Sequence, residues 1–320
     1  MRLILPDPAA ALLGLRAMKT VASAAGRVMP AQRALMEAAR RVILRLDVDL
    51  DALPPIDPET LAAGFAGAEL RQQLINGMLV VALADGPPSG ATVARIESFA
   101  DALGVSTLHV TDLRRLAENH MTLFKLDFLR RSQVADIMKN QLEQTGPLGL
   151  AKAVLGMRGV IEDTALATRY RAWANLPEGT LGRVAWDFYQ KNGFGMPGER
   201  RGFPEAGLYH DLSHVLGGYD TDPEGEVQVA AFTAGYKRER PLYLILFAVL
   251  TFSAGVNMRP THGNTSIGVL GNPGMAERIF AAIERGSHVN VDLSDKWDYW
   301  PYVGLPIDEV RHRLNILPRS

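Results

Sequence analysis

Apolar residues recur along this chain at spacings of three and four, and almost nowhere alternate singly. The first spacing lays a stripe along an α-helix and alternation marks a half-buried strand, so the pattern selects an all-α fold. Ala- and Arg-rich residues 30–46 carry that spacing. Asp57-Pro58 supplies an N-cap followed by proline at the first helical position, opening a helix over 59–65. Further helices are expected at 69–84, with Leu70, Leu74, Met78 and Val81 on one face, and at 91–103, 111–119 and 123–142. Residues 30–142 therefore read as a helical bundle. Thr145-Gly146-Pro147-Leu148-Gly149 reads as a linker, after which Trp, Tyr, Gly and Pro become more frequent. The expectation is two helical domains, 1–145 and 146–320. The second would carry a metal site between antiparallel helices and an apolar pocket.

Composition narrows the chemistry. The absence of cysteine rules out disulfides, thiolate-bound zinc, iron–sulfur clusters and a cysteine nucleophile. A net charge of −1 argues against a dedicated nucleic-acid binder, which needs a basic excess. Leu3-Ile4-Leu5 is too short for a signal-peptide core, and Pro6 and Pro8 interrupt it. The longest apolar run, Pro241 to Val256, is about 16 residues, just under the ~18 of a spanning helix. It reads as a buried helix lining a greasy pocket, or as a helix at a membrane surface. A cytoplasmic protein, soluble or peripheral at the inner face of the membrane, is the expected setting.

Tyr209-His210-Asp211-Leu212-Ser213-His214 is the outstanding motif among only seven histidines. Residues four apart share a helix face, so His210 and His214 converge on one point, as when a helix offers two imidazoles to one metal ion. Asp211 lies about 100° round the helix, where it could be a third ligand or could orient an imidazole. Downstream, Asp222-Pro223 opens another helix with Glu224 and Glu226 in its first turn. That helix would return antiparallel and bring a glutamate over the histidines. Two imidazoles and one or two carboxylates suit zinc, and also accept manganese, cobalt or iron. The plainer alternative is a pair of hydrogen-bonded helix histidines beside capping carboxylates.

Other motifs carry less. Gly193-Phe194-Gly195-Met196-Pro197-Gly198 fits a dinucleotide-binding string, but no strand precedes it and Pro197 sits where a helix should start. Glu199-Arg200-Arg201 reads as a solvated charge run, and His262 and His288 as ordinary residues. No nucleophile elbow or phosphate-binding loop occurs.

The motif resembles that of the coenzyme Q (ubiquinone) biosynthesis protein 4 family: His-Asp-x-x-His, eleven residues, then Glu. Here it is His210-Asp211-Leu212-Ser213-His214, residues 215–225, then Glu226. Leu176-Pro177-Glu178-Gly179-Thr180-Leu181-Gly182-Arg183 is similar to the family's opening segment. Gly225-Glu226 matches its Gly-Glu pair. Arg285-Gly286, Asp292-Leu293, Trp297, Glu309-Val310-Arg311 and Leu314 resemble its C-terminal segment. The similarity covers roughly residues 155–318. Where the family carries an Arg-rich stretch before the motif, this chain has Pro204 to Tyr209. Residues Met78 to Leu103 more faintly resemble a tellurite-resistance TerB-like helical domain. Asp85-Gly86 is present there, but Pro87-Pro88-Ser89-Gly90 replaces the acidic run. That half is expected to be accessory or regulatory.

The first resemblance implies a role in ubiquinone assembly: loss of the C1 carboxylate from a polyprenylated hydroxybenzoate, coupled to C1 hydroxylation. His210, Asp211, His214 and Glu226 would then be both metal ligands and catalytic residues of a metal-dependent lyase. Zinc is the first choice of cofactor, with manganese, cobalt or iron as alternatives. The implied partners are a polyprenylated aromatic or other isoprenoid lipid, other ubiquinone biosynthesis proteins, a membrane surface and a second copy of the chain as a homodimer. The rival readings are a non-catalytic scaffold presenting prenylated intermediates, a metallohydrolase or lyase acting on another isoprenoid, and a metal-free helical adaptor.

Overall fold

The computed structural model describes residues 4–105, 108–120, 124–125, 128, 133–239, 241–258 and 265–319. Helices make up the regular structure, and no strand forms among the described residues. His262 lies outside them. The Asp-Pro start signal works as its chemistry requires. The Asp57 carboxylate accepts from Thr60 N ahead of helix Pro58–Gly64. The same device opens Pro8–Ala22, where Asp7 accepts from Ala9 N and Ala10 N, although the sequence reading passed over it. Ser89 caps Gly90–Leu103. Each such cap contributes about 1 kcal/mol.

Two expected boundaries move. The helix beginning at Pro30 is regular to Ala38 and then widens into a π-helical turn, Ala39–Ile43. The expected helix over 123–142 falls partly outside the described residues; the helix seen there is Gln133–Met157, running through the expected linker. Gly146 (φ 70°, ψ −178°) leaves the helical path and Pro147 follows it. Glycine tolerates that dihedral, and proline lacks an N–H that the first turn of a new helix does not use. Thr145–Gly149 is thus a kink between abutting helices rather than a linker.

The compact units of the chain do not divide at residue 145. One comprises 131–241 and 285–320, the other 2–130 and 242–284. The cause is the apolar helix Pro241–Phe252, in which nine of twelve residues are buried. A helix that is apolar all round needs apolar surface on every side. In its unit Tyr243, Leu246 and Leu250 face Leu79, Leu83, Leu113, Phe124 and Phe128 across a cavity of about 10 Å³. The Phe128 and Tyr243 rings meet edge-on at 5.3 Å. Ser253 Oγ donates to Ala84 O at 2.6 Å just beyond the helix. The greasy lining expected of this helix is present, but its other wall comes from the N-terminal half. The space left holds roughly one water, far less than a prenyl chain.

Two acidic residues of the same unit, Asp85 and Glu97, have local partners. Asp85 accepts from Ala31 N at 3.2 Å and Gln32 N at 3.0 Å, satisfying the start of Pro30–Ala38. Glu97 pairs with Arg114.

The other unit is organised by helices Leu181–Asn192, Leu208–Gly217, Pro223–Tyr236 and Ile307–Arg313. Leu181 N donates to Leu305 O at 2.9 Å and Gly182 N to Val303 O at 2.8 Å, tying the 176–183 segment to the C-terminal one. Gly182 packs closely there: a Cβ would lie 3.1 Å from Val303 O and 2.5 Å from the end of the Leu176 side chain, which would have to move aside. Tyr170, Trp173, Tyr299 and Trp300 form an aromatic cluster, with the Arg169 guanidinium 3.6 Å above the Trp300 ring. No helix among the described residues is long and apolar enough to cross a membrane.

Candidate metal centre

His210 and His214 lie on Leu208–Gly217, and Glu226 lies in the first turn of Pro223–Tyr236. The connection between these helices is built from the residues the sequence singles out. Gly218 ends the first helix with φ 72°, and its N–H closes on His214 O at 2.7 Å. Asp222 caps the second helix by accepting from Gly225 N at 2.6 Å, with Pro223 at its first position. A Cβ on Gly225 would lie 2.0 Å from Asp220 O, so only glycine lets the returning helix approach the connecting loop.

That approach brings three side chains together. The two Nε2 atoms are 3.2 Å apart. Glu226 Oε2 lies 3.6 Å from His210 Nε2, and Glu226 Oε1 lies 3.8 Å from His214 Nε2. Bonds of about 2.1 Å to a tetrahedral divalent cation set its donors ~3.4 Å apart. With one atom taken from each residue, the three donors here lie within 4.8 Å of one another, so small side-chain movements would let them share one ion. Among the described residues, His210, His214 and Glu226 form a group that could hold a metal ion. The His214 side chain is 1% exposed, that of Glu226 20% and that of His210 32%, so the group opens toward solvent on the His210 side.

The orientation of His214 is set by its surroundings. Its Nδ1 is 3.1 Å from Tyr219 O. A carbonyl only accepts, so Nδ1 carries the proton and Nε2 presents its lone pair to the group. Phe188 stacks on the ring at 5.7 Å. Burial, with the neighbouring His210, pushes the His214 pKa down to about 4. The imidazole is therefore neutral at pH 7 and ready to ligate.

Asp211 lies beside this group rather than in it. Its Oδ2 accepts a hydrogen bond from the buried Tyr189 hydroxyl. Burial raises the Asp211 pKa, and the charge of Glu226 adds to the rise, while His210 and the Tyr189 bond oppose it. Tyr189 is pushed well above its ordinary value, first by burial and then by Asp211, so it remains a donor. The sequence reading missed Tyr189, Phe188 and Tyr219. The first two sit on a different helix, and Tyr219 acts through its main-chain carbonyl, which leaves no mark in side-chain chemistry.

A pH dependence follows from His214. Its folded pKa of about 4 lies below the ordinary 6.5. Between those values only the unfolded chain takes up the proton, so acid favours unfolding. Metal-free wild-type protein is expected to lose about 3 kcal/mol relative to metal-free His214→Gln as pH falls from 7 to 4. Urea unfolding across that range checks it, and parallel stability profiles would refute the assignment.

The loop 193–204 makes no dinucleotide site. Gly195 packs on the Gly202 backbone, Glu199 pairs with Arg171, and the preceding element is the helix Leu181–Asn192. His288 is exposed. Comparison of the sequence with models of known protein families and with curated proteins returns no match.

Proposed function

We propose that this chain is a metal-dependent enzyme of ubiquinone assembly, of the coenzyme Q biosynthesis protein 4 type, acting at C1 of a polyprenylated hydroxybenzoate. The observation that carries the reading is the convergence of His210, His214 and Glu226, with His214 already held in the ligating tautomer. Zinc is the proposed ion, because two imidazoles and a carboxylate are a common catalytic zinc set that leaves a position free. Bound there, the ion supplies Lewis acidity toward the substrate carboxylate or a ring oxygen.

The chain's own residues do the rest. His214 and Glu226 fix the site, and the more exposed His210 lies on the side from which substrate enters. Asp211, anchored by Tyr189, keeps a carboxylate beside His210 and is proposed as an orienting group rather than a ligand. Departure of the C1 carboxylate as carbon dioxide leaves its electron pair at C1. Dioxygen would take up that pair, placing one oxygen atom on C1 and releasing the other as water, and a ring hydroxyl para to C1 would supply the two further electrons, so that the ring leaves as the quinone. Association with other enzymes of the pathway at the inner membrane surface completes the proposal.

The test is turnover by purified, zinc-loaded protein. With a carboxyl-labelled prenylated hydroxybenzoate and dioxygen, labelled carbon dioxide is expected from wild type, and less than ~1% of that rate from Glu226→Ala. Metal-loaded wild type that extracts with bound prenylated aromatic but releases no label would favour the non-catalytic scaffold instead.

A further inference from the structure

The C-terminal end of the histidine helix is held in an unusual way. Gly218 already closes it by a main-chain bond. Three guanidinium groups then take its last carbonyls. Arg285 Nη1 donates to Gly217 O at 2.7 Å, Arg319 Nη1 to Gly218 O at 2.7 Å, and Arg311 to Leu216 O at 3.1 Å and Val215 O at 3.2 Å. Unsatisfied carbonyls and the negative end of the helix dipole account for one cation there. They do not account for where the other contacts go.

Some of those contacts are local: Arg285 Nε donates to Leu317 O at 2.5 Å, Arg319 Nη2 to Gln228 Oε1 at 3.2 Å and Arg311 Nη1 to Asp308 Oδ1 at 2.9 Å, and Arg285 also lies 5.2 Å from the Phe232 ring centroid. What Arg285 and Arg319 share is Tyr219. The Arg285 guanidinium lies 5.5 Å from the Tyr219 ring centroid and that of Arg319 lies 5.0 Å from it. Arg285 Nη1 also donates to the Tyr219 hydroxyl at 3.0 Å. Gly217 leaves room for the ring, since a Cβ there would lie 2.7 Å from it. Tyr219 is the residue whose carbonyl holds His214 Nδ1. A hydrogen bond weakens within a few tenths of an ångström and a few tens of degrees. Fixing the Tyr219 side chain and the carbonyls before it therefore fixes the direction of the His214 lone pair.

We infer that Arg285 and Arg319 are positioning residues of the metal centre, acting through Tyr219 on His214. The inference rests on the metal reading above and adds to it which residues outside the ligand set determine affinity. Groups that hydrogen-bond a ligand directly change metal affinity by about 10–100-fold, and these arginines hold the residue that does so here.

The experiment uses cobalt(II) alone as the probe, titrated against a competing chelator, with the visible absorption of the bound ion recorded. Arg319 is exposed, so Arg319→Gln will fold. It is expected to weaken cobalt binding about tenfold and to shift the ligand-field bands, while the metal-free melting temperature stays at the wild-type value. Arg285→Lys, which keeps the charge but loses the fork, is expected to weaken binding by about 10–100-fold. Wild-type affinity and spectrum in Arg319→Gln would overturn the inference, even if Arg285→Lys failed to fold. A lowered melting temperature with an unchanged spectrum would overturn it too, by making the arginines caps and nothing more. Wild-type protein that binds no cobalt would instead remove the metal reading itself.

Discussion

Alanine at His214 is expected to abolish metal binding at the proposed centre. Wild-type protein reconstituted with zinc is expected to carry about one ion per chain, and His214→Ala background only, with affinity down by more than ~100-fold. The expectation is larger than for either other ligand because His214 is the buried, pre-oriented one: its side chain is 1% exposed and its Nδ1 is bonded to Tyr219 O. Removing it deletes a donor and also the ring against which Phe188 stacks. His214→Gln, closer in volume, separates ligand loss from packing loss. Elemental analysis beside far-ultraviolet circular dichroism reads both. Full metal content in a folded His214→Ala protein would remove this site from the chain.

The second large effect is at a residue with no side chain. Gly225→Ala places a methyl group 2.0 Å from Asp220 O, so the connecting loop or the returning helix must shift. Backbone against Cβ has no flexible side chain to give way, so the expected cost is at the upper end of overpacking, about 3 kcal/mol. Glu226 follows directly in sequence and moves with the helix. Zinc affinity is therefore expected to fall at least tenfold in addition to the loss of stability. Glu224→Ala, one residue before Gly225, controls for change in that turn. Wild-type stability and metal content in Gly225→Ala would mean that the loop is softer than its packing implies.

How far the chain could be read in advance depended on the range of the interaction. Helices were legible where local chemistry sets them: Asp57-Pro58 and Asp222-Pro223 announce their own first turns. The His210–His214 spacing was legible because four residues along a helix fix a direction. Glu226 was legible only through the capped turn that precedes it. What stayed hidden depended on distant partners. Tyr189 reaches Asp211 from another helix, and the carbonyl behind His214 belongs to the main chain. Gly146-Pro147 has the composition of a linker, yet both residues also suit a kink, and local sequence does not choose between them. The apolar run at Pro241–Phe252 announces that it is buried but not by whom; its partners lie more than a hundred residues upstream.

That last arrangement has a consequence for how the protein is made. Residues 242–284 belong with 2–130, so they separate the two stretches, 131–241 and 285–320, that compose the metal-bearing unit. The ribosome therefore delivers His210, His214 and Glu226 well before Arg285, Arg311 and Arg319. At about 5–20 residues per second the interval between Glu226 and Arg319 is roughly 5–20 s. During that interval the three candidate ligands belong to a unit that still lacks its second stretch, 285–320. On the positioning proposed for the arginines, ion capture at full affinity would follow the emergence of residues 285–319. A metal-delivery step coupled to synthesis would meet the three candidate ligands without the arginines proposed to hold His214.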